Sequence, residues 1–139
     1  MTVMTRTMLQ EFLNREFPEI EHMGFEVAAV DDSSITMQMK TSAKDLRPGG
    51  TVSGPTLMSF ADVTMYLLLL AQIGPVALAV TTNLNINFLN KPNPGKLRAE
   101  GRLLKHGKLL ATGDVSIFSN DDTKPVAHAT LTYAIPPQK

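Results

Sequence analysis

Between Arg47 and Lys91 the chain carries one charged side chain, Asp62. Around it the sequence reads Gly54-Pro55-Thr56-Leu57-Met58-Ser59-Phe60-Ala61-Asp62-Val63-Thr64-Met65-Tyr66-Leu67-Leu68-Leu69-Leu70-Ala71. Wound as a helix over 54–71, this segment is apolar on every face, the pattern of a buried helix rather than a surface one. An ionised carboxylate is costly there unless something solvates or pairs it. Its sequence neighbours offer no counter-charge, so Asp62 is the first candidate for chemistry. The same reading predicts that neutralising Asp62 leaves the fold intact and even stabilises it.

The approach to this helix has its own signature. Ser53 suits an N-cap and Pro55 suits the first turn, where a missing N–H does no harm. Gly49, Gly50 and Gly54 permit close approach of another group before the helix begins. The helix N-terminus then presents free backbone N–H groups and the positive end of the helix dipole.

A chain of 139 residues is read as one domain over 1–139, with 1–23 as N-terminal helix and lead-in and 136–139 as a tail. Net charge is zero and only 19% of residues are charged, so no basic field points to nucleic acid. There is no Cys, and His22, His106 and His128 are scattered, which leaves no metal-ligand spacing. Residues 1–17 carry Arg6, Glu11, Arg15 and Glu16, unlike a signal peptide. The apolar run 65–80 is shorter than the roughly 20 residues of a membrane span, and Gln72 and Gly74-Pro75 interrupt it. The expectation is a cytoplasmic protein with no membrane partner.

Along the chain, Met8, Leu9, Phe12, Leu13 and Phe17 recur at helical spacing before Pro18. Residues 25–30 and 34–40 read as a hairpin turning at Asp31-Asp32-Ser33. After the central helix, 77–89 alternates with Thr82, Leu84, Ile86 and Phe88 on one face and Thr81, Asn83, Asn85 and Asn87 on the other. Three more alternating runs follow, 96–103, 109–117 and 126–135. An antiparallel sheet of five to six strands, with one wet and one dry face, needs the dry face covered, and the 54–71 helix is the one element apolar enough. The fold class is α+β: a sheet wrapped around one long central helix, with a short N-terminal helix.

This order, together with Gly50-Thr51-Val52-Ser53-Gly54-Pro55, then Phe60-Ala61-Asp62, then Asn83-Leu84-Asn85-Ile86-Asn87-Phe88-Leu89 with Lys91-Pro92, resembles the hotdog-fold acyl-CoA thioesterases of the PaaI-like group. The resemblance spans about residues 24–135. It implies that Asp62 acts as nucleophile or general base and that the Gly54 backbone N–H polarises the thioester carbonyl. It also implies that Thr81, or Thr82 beside it, supplies a hydroxyl that holds the attacking water. Ser53 stands where the motif usually has His, Pro55 where it has a second Gly, and Arg47 where an Asn is common. Arg47 either contacts the carbonyl in that Asn's place, binds a substrate carboxylate, or is a plain surface residue.

The reaction implied is hydrolysis of an acyl-CoA thioester, with coenzyme A part of the substrate and no separate cofactor or metal. Met58 and Met65, one turn either side of Asp62, are explained by core filling and also suit an adaptable acyl pocket. Lys91, Arg102, Lys105 and Lys108 are candidates for the coenzyme A phosphates. A non-catalytic acyl-CoA-binding hotdog domain is the alternative, with a hydratase or dehydratase weaker because no His lies on the helix. Gly54 and Asp62 are eight positions apart, about 12 Å along a helix axis, too far to serve one thioester carbon. A homodimer with shared sites solves this: Gly54 of one chain faces Asp62 of another, and strand 80–88 pairs across the two-fold axis. The resemblance extends this to a homotetramer.

Overall fold

The computed structural model describes residues 2–17, 24–75, 79–119 and 122–137. The elements, in order, are α1 (Arg6–Glu16), β1 (Glu26–Val30), β2 (Ser34–Lys40), α2 (Gly54–Ile73), β3 (Val80–Phe88), β4 (Lys96–His106), β5 (Leu110–Ser119) and β6 (Ala127–Ala134), with a 3-10 turn at Ala43–Asp45. The six strands form one antiparallel sheet in the order β1-β2-β4-β5-β6-β3. The architecture is the expected sheet wrapped around one long helix. The predicted third strand begins at Ala77, and residues 76–78 lie outside the described ones.

Helix α2 starts where its cap predicts: Ser53 Oγ accepts from Thr56 N at 3.3 Å. It runs two residues beyond the expected end and stops at Gly74, whose φ of 94° is a left-handed conformation open to glycine, with its N–H donated to Leu70 O. Leu67, Leu68, Leu69 and Leu70 are all fully buried, which accounts for the absence of a polar stripe. Each such side chain contributes about 1.5–3 kcal/mol through burial. The helix is long and apolar enough to cross a membrane by composition, yet 67% of that apolar window is buried inside the protein.

Against α2 stand the inner faces of β4 and β5, with Leu97, Ala99, Ala111, Val115 and Ile117 all at zero exposure. Gly113 on β5 lets the helix sit this close. A Cβ there would stand 2.6 Å from the Arg102 carbonyl and 2.7 Å from Met65 Sδ. Helix α1 closes one end of the sheet through Leu9, Phe12 and Leu13. Gln10 ties it to β1 by accepting from Val27 N at 2.8 Å. Strand β3 is an edge, bonded on one side to β6, and its residues Val80 and Phe88 are more than half exposed.

Candidate active site

Asp62 sits half-buried midway along α2, and it is not without partners. Thr81 Oγ1 donates to Asp62 Oδ1 at 2.7 Å, and Tyr133 Oη donates to the same oxygen at 2.6 Å. The Tyr133 hydroxyl also lies 3.1 Å from the Asp62 backbone carbonyl. This corrects the expectation of an unpaired carboxylate: its partners are hydroxyls from two strands. Truncating Asp62 to alanine is therefore expected to cost stability, because two donors would lose their acceptor, whereas asparagine keeps one oxygen for them.

A break in strand alternation creates this arrangement. Regular pairing would set Thr82 opposite Tyr133. Instead the register runs Thr81↔Tyr133 and then Asn83↔Thr132, with a bulge at Thr82. The bulge brings Thr81 to Asp62, rather than leaving it with Asn83, Asn85 and Asn87 as simple alternation predicts. Thr82 points elsewhere and donates to Thr132 O at 3.2 Å, so Thr81 is the hydroxyl that reaches Asp62.

The carboxylate lines a cavity of about 530 Å³ with Phe17, Phe25, Val63, Tyr66 and Tyr133 among its walls. Burial first, and the neighbouring Asp62 second, push the Tyr133 phenol pKa well above its ordinary value, so it remains a donor. Tyr66 is likewise raised, by burial and then by Glu16. Neither candidate methionine lines this cavity. Met65 is fully buried with its sulfur against the Gly113 position, and Met58 is 41% exposed. The cavity opens on the other flank of Asp62, where Ser59, Val63 and Tyr66 project.

Gly54 is outside this cavity, at the first position of α2. Among the described residues nothing accepts its N–H. The Phe88 ring of β3 lies beside it: a Cβ on Gly54 would meet Phe88 Cζ at 3.4 Å. Ser53 Oγ bonds Thr56 Oγ1 at 2.9 Å, Thr56 Oγ1 lies 3.3 Å from Asp45 Oδ1, and Ser53 N donates to Asp45 O at 2.8 Å. The Ser53 hydroxyl is therefore engaged in building the helix start, and buried Asp45 anchors the network. Pro55 occupies the first turn.

Arg47 lies in the exposed turn before the helix, where Arg47 N donates to Thr51 O. Lys91 is exposed on the loop after β3, and Val52 N bonds the neighbouring Pro92 O at 3.2 Å. Both cations therefore belong to the Gly54 end of α2. Arg102 does not. It forks onto Asp114 at 2.9 and 3.2 Å on the outer sheet face, where His128 meets the same carboxylate at 3.1 Å. Lys105 and Lys108 stand at the exposed β4–β5 turn.

The model of the thioesterase superfamily matches residues 49–126, the span from the glycine turn through β5. The chain belongs to the thioesterase superfamily. As the superfamily predicts, its fold is the hotdog fold. It is 43% identical to a candidate thioesterase from Silicibacter sp. over 99% of this chain and 95% of that one, with a TM-score of 0.90. A mutant of the phenylacetic acid degradation protein PaaI from Thermus thermophilus is 22% identical, with a TM-score of 0.74 over 85% of this chain and 98% of its own. A hypothetical thioesterase from Streptococcus pneumoniae, solved with coenzyme A, is 22% identical, with a TM-score of 0.78 over 94% and 98% of the two chains. No curated protein matches the chain in sequence. Membership supports thioester hydrolysis as the general chemistry.

Within this superfamily framework, sequence reasoning missed Tyr133, Phe25, Phe17 and Tyr66. Tyr133 left one signal: it occupies the dry face of the last strand between Leu131 and Ile135, where a hydroxyl needs a partner.

Proposed function

We propose that this chain hydrolyses acyl-CoA thioesters, with Asp62 as nucleophile or general base and the Gly54 N–H polarising the carbonyl. The observation that carries the reading is the Asp62 carboxylate, bonded by Thr81 and Tyr133 at the wall of an apolar, aromatic cavity. The acyl group would occupy that cavity, between Phe25, Val63 and Tyr66. As a base, Asp62 takes a proton from water, the water oxygen bonds the acyl carbon, the C–S bond breaks, and the proton passes to the departing thiolate. As a nucleophile, an Asp62 oxygen bonds the acyl carbon, thiolate leaves, and water then hydrolyses the anhydride. In both routes the carbonyl oxygen gains negative charge, which a free N–H at a helix N-terminus stabilises.

Within one chain Gly54 and Asp62 are separated by about 12 Å of helix. A two-fold partner joined along the β3 edge brings the Gly54 end of one α2 to Asp62 of the other. The unpaired β3 edge and the exposed Val80, Phe88 and Met58 support that contact. Arg47 and Lys91, both at the Gly54 end, would then meet the phosphates of coenzyme A, in line with the coenzyme A-bound neighbour. Arg102 is held by Asp114 and is left out of that role.

Thiol release from a panel of acyl-CoA esters tests the activity: the wild type turns over at least one ester and Asp62→Asn none. Mixing inactive Asp62→Ala chains with inactive Gly54→Val chains tests the sharing. Activity partly returns in mixed dimers, which keep one intact site. Verified subunit exchange without recovery rejects the shared site.

A further inference from the structure

We infer that Tyr133 is a positioning residue for the reacting carboxylate: together with Thr81 it fixes Asp62 Oδ1, so that Oδ2 is the oxygen that reacts. The inference rests on the proposed role of Asp62. A carboxylate only accepts, so the 2.6 Å and 2.7 Å contacts are both donated to it, and both fall on one oxygen. Among the described residues nothing bonds Oδ2. One carboxylate oxygen is therefore committed to the protein and the other is left for water or substrate.

Three elements meet at Oδ1. Asp62 comes from α2, Thr81 from β3 behind its bulge, and Tyr133 from β6. The Tyr133 ring is only 3% exposed and packs 5.9 Å from the Tyr66 ring, tilted by 30°. Its hydroxyl cannot swing away, and the second contact to the Asp62 carbonyl holds side chain and backbone against each other. A carboxyl otherwise turns about its own Cβ–Cγ bond, where the torsional wells are broad. Two short bonds to one oxygen remove that freedom, and a misplacement of about 1 Å can cost about 10²-fold in rate.

The test uses the full-length protein and the best acyl-CoA ester of the panel. Tyr133→Phe keeps the ring and its packing and deletes only the hydroxyl. The expected result is a kcat lowered about 10- to 100-fold with KM within about threefold. Thr81→Val behaves alike and Thr81→Ser restores kcat. A purely structural role would move KM and the unfolding midpoint together and leave no kcat-specific loss. A Tyr133→Phe enzyme with kcat within twofold of wild type, or with its whole loss in KM, overturns the inference. That failure is separable from failure of the parent reading, which shows as retained activity in Asp62→Asn.

Discussion

Asp62→Ala and Asp62→Asn are expected to be equally inactive yet unequal in stability. Alanine removes the acceptor of two hydroxyls. Tyr133 loses a 2.6 Å bond inside the protein and keeps the longer contact to the Asp62 carbonyl and the neighbouring Thr81 hydroxyl, whereas Thr81 is exposed and can also turn to water. A hydrogen bond to a charged group contributes about 1.5–3 kcal/mol, so the alanine variant should lose about 1.5–2.5 kcal/mol, most of it through Tyr133. Asparagine still offers one oxygen to both donors and loses only the charge-assisted part, about 0.5–1 kcal/mol. Urea unfolding at fixed protein concentration reads this directly. With a slope of about 2 kcal/mol/M the alanine midpoint falls by about 1 M and the asparagine midpoint by about half of that or less. Catalysis should fall at least about 10²-fold in both. An alanine variant as stable as the asparagine variant, or more stable than wild type, would refute the argument. It would show that the two hydroxyl bonds to Asp62 add nothing to stability.

Two further outcomes are expected elsewhere in the molecule. Gly113→Ala should destabilise by about 1–3 kcal/mol, read as a urea midpoint, because the new Cβ meets a carbonyl that cannot yield as well as a methionine sulfur that can. A midpoint equal to wild type would show that α2 can move off the sheet freely. Asp114 supplies the pH test. Burial raises its pKa, but hydrogen bonds from Arg102 and His128 outweigh that and hold it below its ordinary value of 3.8. A carboxyl lowered in the folded state contributes stability that is present above its unfolded pKa and lost as pH falls through the folded one. The stability gap between wild type and Asp114→Asn should therefore be full near neutrality and close below about pH 4; a gap constant from pH 7 to 3 would contradict it.

Much of the frame was legible in the residues because it depends on local periodicity. A helix apolar all round has to be interior, and the runs 34–40 and 109–117 alternate as strands must when one face is dry. The lone charge at Asp62 marked the site for the same reason, since an ionisable group in such a helix needs a use or a partner.

What periodicity could not supply was the identity of the partners. Thr81 is 19 residues from Asp62 and Tyr133 is 71 away, and their meeting depends on strand order and on one bulge. Alternation grouped Thr81 with Asn83, Asn85 and Asn87 because it assumes a regular register, and a single extra residue turns one strand position over. The two methionines divide for a related reason. Helix spacing places Met58 and Met65 one turn from Asp62, but only the packed sheet decides which flank faces a cavity and which faces Gly113. Local sequence thus determined which elements form and where the charge sits. Which groups touch that charge was decided by contacts between strands far apart in the chain, whose energy exists only once the sheet has closed around the helix.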